Sequence, residues 1–279
     1  MSSHIYRNPN KYSKNNALQY NFAMKILSKI YFTTQARVLD IGCGDGVITN
    51  EMASIVNQGC VIGTDISFQM IEFASKEYST QVNLRFLTMD ASKNLFREQF
   101  DIITSFNCLH WVKDQQTALD GIANAAVPGA QVALLLSHKK SLYHNVLDKV
   151  CSLPKWKLYF IDFVSPRYFF DPKDYKEMLI KSALNVIDFN EEEMTHTFNS
   201  KDQLREFFSA AGSQIKQIPE GRQTEFLTDF VEEYINQSKC SQDLIPVSFW
   251  CLQVIASKPK PDLTKTSEAV YQPRLFSKL

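Results

Sequence analysis

Residues 38–46, Val38-Leu39-Asp40-Ile41-Gly42-Cys43-Gly44-Asp45-Gly46, join an apolar run to a glycine-rich turn. An α/β sheet uses this arrangement to bring bare backbone against a nucleotide-like ligand, because glycine turns sharply and carries no Cβ to keep the ligand away. The helix expected to follow turns its first N–H groups toward negative charge. The position three after Gly44 is Val47, so the dinucleotide fingerprint G-x-G-x-x-G is not completed. Asp40, which opens the turn, would repel a diphosphate but could accept hydrogen bonds from an amino-acid ammonium group. The pattern therefore fits S-adenosylmethionine (SAM), with an ordinary tight β–α connection as the alternative.

Two further acids stand at the expected distances. Asp65 ends the next apolar run about twenty residues on, where a carboxylate can accept both hydroxyls of a ribose. Asp90, followed by Ala91, ends the third run, where a short acid can accept the adenine amino group. Each alone reads equally well as a helix cap or a solvated strand end. Three acids at three successive strand ends point to a built site.

The elements that must position these residues follow from periodicity. A helix is expected over 17–30. Strands at 37–41, 60–65, 83–89, 100–105 and 131–137 alternate with helices at 47–56, 67–78 and 117–126, the last stopped by Pro128-Gly129. This rhythm implies a parallel sheet with right-handed crossovers and a ligand across the carboxyl ends of its strands. Beyond 137 the pattern changes: helix over 143–159, an aromatic stretch from Tyr159 to Phe170, helix over 172–182, a strand over 186–198 interrupted by Glu191-Glu192-Glu193, helix over 200–237 broken near Pro219-Glu220-Gly221, and a last strand over 247–257. The expected fold class is α/β: a Rossmann-like, seven-stranded, mostly parallel sheet with helices on both faces and helical lid insertions. Three divisions are expected: an N-terminal lid segment and helix (1–34), the main domain (35–258) with cap insertions at about 138–182 and 200–240, and a flexible tail (259–279).

Composition narrows the function classes. The 279 residues carry 30 Lys plus Arg and 30 Asp plus Glu, so no net field gathers nucleic acid or an anionic membrane. The six cysteines show no C-x-x-C pair or histidine partner, which argues against a zinc site or disulfide framework and for reduced, mostly core thiols. His4, His138, His144 and His196 show no metal-ligand spacing. No apolar run reaches membrane-spanning length. The expectation is a cytoplasmic monomer or weak homodimer acting on a small molecule, with neither nucleic acid nor membrane as partner.

At residues 35–140 the chain resembles the class I SAM-dependent methyltransferases. In that family the glycine turn holds the methionine moiety, the second-strand acid the ribose and the third-strand acid the adenine. The resemblance implies cofactor contacts from Asp40, Gly42, Gly44, Asp65, Ile66, Met70, Asp90, Ala91 and Asn107, with ordinary core packing as the alternative for Met70. Thr104-Ser105-Phe106-Asn107-Cys108-Leu109-His110-Trp111-Val112 and Lys11-Tyr12-Ser13-Lys14-Asn15-Asn16-Ala17-Leu18-Gln19 narrow it further. Both segments look like juvenile hormone acid methyltransferase and, more distantly, trans-aconitate and malonyl-carrier-protein methyltransferases, which esterify carboxylates. By this resemblance Gln19, His110 and Trp111 sit beside the transferred methyl group.

A carboxylic acid, with an ordinary pKa near ~4, is already ionised at neutral pH and needs no general base. His110 is then a positioner with Gln19, and Trp111 an apolar wall or plain core. A phenol or alcohol acceptor would instead make His110 the natural base, and a protein or carrier-protein acceptor or a catalytically silent SAM-binding protein are further alternatives. Arg167 could clamp a second carboxylate or lie at the surface.

Overall fold

The structure, a computed structural model, describes residues 8–241 and 243–261. In chain order its elements are α1 (Pro9–Ser13), α2 (Ala17–Leu27), β1 (Arg37–Ile41), α3 (Val47–Ile55), β2 (Cys60–Asp65), α4 (Phe68–Glu77), β3 (Leu84–Thr88), β4 (Phe100–Phe106), α5 (Gln115–Ala125), β5 (Ala126–Lys139), α6 (Leu142–Ser152), α7 (Pro172–Lys181), β6 (Asn185–Phe198), α8 (Lys201–Ala211), α9 (Glu220–Ser238) and β7 (Ile245–Ser257). The strands form one seven-stranded sheet in the order β3-β2-β1-β4-β5-β7-β6. All neighbours from β3 through β5 are parallel, and β7 runs antiparallel to both β5 and β6. This is the expected Rossmann-like, mostly parallel architecture.

Side chains alternate across each strand, so a sheet covered on both faces buries every second residue in a different core. Val38 packs with α2, α3, α6, α8 and α9 on one face, whereas Leu39 packs with α5 and α7 on the other. Leu134 and Leu135 on β5 divide in the same way. The first core is unusually aromatic: Tyr143 of α6 meets Phe208 of α8 at 5.9 Å and Phe230 of α9 at 5.1 Å between ring centroids, and Phe208 and Phe230 lie 4.4 Å apart. Edge-to-face and tilted geometries of this kind add to the energy of burial.

Several boundaries differ from the periodicity. The first long helix ends at Leu27 rather than 30. Pro128-Gly129 does not stop α5; the helix ends at Ala125, and β5 begins at once, with Gly129 in the left-handed region (φ 87°) where the register against β4 shifts. A proline without an N–H is tolerated in a strand at such a bulge. The helix expected to reach 159 ends at Ser152, two residues before Pro154, because a residue preceding proline avoids the α region. The break between α8 and α9 spans 212–219, and Glu220 and Gly221 are already the first residues of α9.

Glu191, Glu192 and Glu193 interrupt nothing. They lie within the edge strand β6, where Glu191 pairs with Lys139, and Glu192 accepts from Lys25 (2.5 Å) and Gln253 (2.6 Å). Charge on an edge strand also deters pairing with another chain. Cys43 and Cys251 are buried, Cys60 is exposed and the other three are half-buried, so the thiols are less uniformly core than expected. The expected tail falls largely on 262–279, outside the described residues. Among the described residues no helix is long and apolar enough to cross a membrane.

Phe230 is fully buried at the centre of the aromatic core that holds α6, α8 and α9 together. Phe230→Ala is expected to cost about 3–5 kcal/mol in urea unfolding, against less than ~1 kcal/mol for alanine at the exposed Ile180.

Candidate active site

Because β2 and β3 lie to one side of β1 and β4 to the other, the chain reverses its direction of winding between β1 and β4. Crevices at such a reversal, outside the carboxyl ends of the strands, are where open α/β sheets bind ligands. The glycine turn after β1 and residues 107–111 after β4 meet there, beside a cavity of about 570 Å³.

Gly42, Gly44 and Gly46 have φ of 79°, 56° and 84°. Their spacing follows from this geometry, since only glycine enters the left-handed region freely. A Cβ on Gly42 would overlap the Cys108 side chain, and one on Gly46 would lie 2.7 Å from Phe86 Cζ and 2.9 Å from Ala74 Cβ. The N–H groups of Gly42 and Cys43 donate to the Thr64 carbonyl at 2.7 and 2.9 Å, which ties the turn to β2.

The acids at the strand ends play different parts. Asp65 lines the cavity; its Oδ2 accepts from the Gly44 N–H (3.1 Å) and its Oδ1 from the Ser67 N–H (2.8 Å), so it fixes the glycine turn as well as facing the ligand space. Asp90 and Ala91 line the cavity, with Asp90 Oδ1 held by the N–H and hydroxyl of Ser92 at 2.9 and 2.8 Å. Gly42, Gly44, Ile66 and Asn107 also line it. Asp65, Asp90 and Asp114 against Lys113 give the wall a negative balance, which suits a cationic ligand and not a diphosphate.

Two expected cofactor contacts lie off the cavity wall. Asp40 is buried, and its two oxygens accept from Thr49 Oγ1 (2.7 Å) and Thr104 Oγ1 (2.8 Å), where the sequence pattern places an ammonium group. Alternation along β1 turns it toward α3. Met70 is buried in the body of α4, on the face shared with Ile71 and Ala74, and does not reach the cavity. Tyr12 of α1, unassigned in the sequence, lines the cavity near Gly44. Asn16 Nδ2 donates to Asp45 Oδ2 at 2.7 Å, and Lys11 reaches Ser209 (2.5 Å) and Glu206 (3.4 Å) of α8. The N-terminal segment thus bridges the glycine turn and α8.

Behind the large cavity is a small pocket of about 40 Å³ that contains Gln19, His110, Ser137 and Arg167. Asn107 lines both spaces, with a left-handed φ of 55° that asparagine tolerates better than most side-chain-bearing residues. Trp111 lines the large cavity. His110 Nδ1 accepts from the Ser137 N–H at 3.1 Å, and burial together with the Arg167 charge pushes its pKa well below the ordinary histidine value. The imidazole is therefore neutral, with its proton on Nε2. The amide Oε1 of Gln19, Nδ2 of Asn107, the indole N–H of Trp111 and the hydroxyl of Ser137 are all buried without a partner among the described residues. Buried polar groups normally have partners, and a cluster that does not is expected where a polar ligand binds.

A family model described as a methyltransferase domain matches residues 38–129, the stretch that builds the glycine turn and the strand-end acids. That stretch carries the pattern of a methyltransferase domain. It is 28% identical over 229 residues to protein 235L of Invertebrate iridescent virus 6, which carries a methyltransferase name, covering 82% of this chain and 85% of that one. It is also 28% identical over 245 residues to the juvenile hormone acid O-methyltransferase of Drosophila melanogaster, covering 81% and 82% respectively. In fold, a Haemonchus contortus phosphoethanolamine N-methyltransferase 2 in complex with S-adenosyl-L-methionine superposes with a TM-score of 0.59 at 20% identity, over 90% of this chain and 57% of that one.

Two buried acids give the protein a pH signature. Burial raises Asp40 to about 6 against the two threonine hydroxyls that favour its charge, and burial likewise raises Asp45 to about 6. A carboxyl raised in the folded state binds its proton more tightly there than in the unfolded chain. Its contribution is full below about pH 4 and is lost as pH rises through 6. Urea unfolding between pH 4 and 7 is expected to show wild-type losing on the order of 3 kcal/mol relative to Asp40→Asn across that window. A constant difference would contradict an ionisation of Asp40 near 6.

Proposed function

We propose that this protein transfers the methyl group of SAM to the carboxylate of a small organic acid, giving a methyl ester and S-adenosylhomocysteine. The observation that carries this reading is the group of buried, unpartnered polar atoms on Asn107, Trp111, Ser137 and Gln19, next to a neutral histidine and an arginine. Three of these groups are hydrogen-bond donors, and a half-turn of the Gln19 amide would present a fourth. A carboxylate offers about four acceptor sites and satisfies them together.

Gly42, Gly44, Asp65, Asp90, Ala91, Ile66 and Asn107 would hold the cofactor, with Tyr12 above the glycine turn. SAM, when bound, supplies a methyl group made electrophilic by its sulfonium. Asp65 would take the ribose hydroxyls, and Asp90 the adenine edge. Asn107 would stand between donor and acceptor, because it alone of these residues lines both spaces. The acceptor oxygen forms its bond to the methyl carbon as the carbon–sulfur bond breaks, and the electron pair leaves on sulfur. No proton moves.

His110 favours this chemistry over methylation of a hydroxyl. A phenol or alcohol needs a base with a free lone pair, and the Nδ1 lone pair is already taken by the Ser137 N–H. With its proton on Nε2, His110 can donate a hydrogen bond to an anion. Gln19 and His110 are therefore assigned to hold the carboxylate and Trp111 to flank it. The N-terminal segment and the α6–α9 insertions would shut out water, whose removal raises the reactivity of separated charges, and positioning supplies the rest.

Labelled SAM incubated with the full chain and a panel of carboxylic acids is expected to give base-labile methyl label. Gln19→Ala should lower kcat/KM by ten- to hundredfold, while His110→Ala keeps activity within about tenfold and shows no loss of a titrating base in its pH profile. Base-stable label on phenols or alcohols, abolished by His110→Ala, would overturn the carboxylate reading.

A further inference from the structure

The feature of the small pocket that the reaction above leaves unused is Arg167. It lies between Pro166 and Tyr168, which line the large cavity, while Arg167 itself lines the small pocket. The segment is pinned, since the Tyr168 N–H donates to the His110 carbonyl at 2.8 Å. The guanidinium sits 4.4 Å from the ring centre of Trp111 and 5.9 Å from that of Phe249. Arginine stacked on an aromatic face keeps its N–H fork oriented at little further entropic cost.

The neighbouring imidazole supplies an independent observation. Arg167 Nη1 lies 3.0 Å from His144 Nε2, and the Ser141 N–H lies 3.0 Å from His144 Nδ1. Burial and the Arg167 charge keep His144 neutral. A neutral imidazole has one lone pair, so two donors compete for it. If Arg167 turned to an anion in the pocket, His144 could carry its proton on Nε2 and accept from Ser141, completing the cap of α6. That arrangement would relieve the competition at His144.

The space fits the head of an acid and not its whole body. About 40 Å³ accommodates a carboxyl group, and the same pocket is otherwise walled by Leu18, Phe22, Tyr143, Phe207 and Phe249. We propose that Arg167 is the specificity-determining residue of the acceptor pocket: its guanidinium pairs with the carboxylate of an acid carried on an apolar body and discriminates against the neutral alcohol, amide or ester of the same shape. This rests on the carboxyl-methylation reading and adds to it the residue that recognises charge. A site built around a charged, oriented donor gains more from an anion that pairs with it than from a neutral group of the same shape.

The test has a binding arm and a turnover arm. In the first, decanoate and decan-1-ol are titrated into protein saturated with S-adenosylhomocysteine and followed calorimetrically, with Arg167→Gln and Arg167→Lys compared to wild-type. Wild-type is expected to prefer decanoate by at least tenfold, Arg167→Gln to lose that preference, and Arg167→Lys to restore part of it. S-adenosylhomocysteine affinity and thermal midpoint should stay unchanged in Arg167→Lys, which serves if the glutamine variant folds poorly. In the second arm, Arg167→Gln should raise KM for a methylated acid at least tenfold with kcat within about threefold. Equal preference for decanoate in wild-type and both variants overturns the assignment of Arg167. If that equality is found while wild-type still forms methyl esters, the carboxyl-methylation reading survives alone; if the preference is lost on mutation but only phenols or alcohols are methylated, that reading fails and Arg167 remains an anion-recognising residue.

Discussion

The buried carboxylate of Asp40 is the point on which the rest of the site depends. It accepts one hydrogen bond from Thr49 on α3 and one from Thr104 on β4, and its own carbonyl accepts from Thr64 on β2 at 3.3 Å. One residue thereby ties together two strands and the helix around the glycine turn, at the place where the sheet reverses its winding. A buried carboxylate is costly unless its oxygens are satisfied. Here two hydroxyls meet that need, and burial still prevails in raising its pKa. The cost is borne where β1, β2, β4 and α3 meet beside the glycine turn.

From that frame the chemistry divides between two connected spaces. The larger has glycine backbone and carboxylates on its wall and suits a cationic ligand, while the smaller gathers hydrogen-bond donors and an arginine. Opposite charge preferences on the two sides of Asn107 are what a transfer between a cationic donor and an anionic acceptor needs, because both charges vanish as the methyl group passes. Trp111 joins the two electrostatically, lining the larger space and carrying the Arg167 guanidinium on its ring.

Much of this was legible in the sequence wherever the signal was local. The bounds of β1 and β2 follow from short apolar runs ended by glycine or aspartate, and the cavity-lining positions of Gly42, Gly44, Asp65 and Asp90 follow from their place at the ends of such runs. Asp40 misled because its partners, Thr49 and Thr104, are 9 and 64 residues away; a buried threonine facing it on each neighbour was the available clue. Met70 could have been placed by the Met70, Ile71, Ala74 spacing of an inward helix face. Arg167 stood out only as a clamp for a second carboxylate or a surface residue, since nothing near it in the chain announces Trp111, His144 or Phe249. The strand bulge at Pro128-Gly129 was hidden for the same reason: proline and glycine signal a stop, and only the pairing of β4 with β5 shows that the strand passes through them.

The central claim is that the Gly42–Gly46 turn and Asp65 form a cradle for the methyl donor, and calorimetric titration of the full chain with S-adenosylhomocysteine tests it most directly. One-to-one binding in wild-type, weakened at least thirtyfold by Asp65→Ala with the thermal midpoint shifted by only a few degrees, is the predicted result. No binding by folded wild-type protein, or equal affinity in Asp65→Ala, would contradict it.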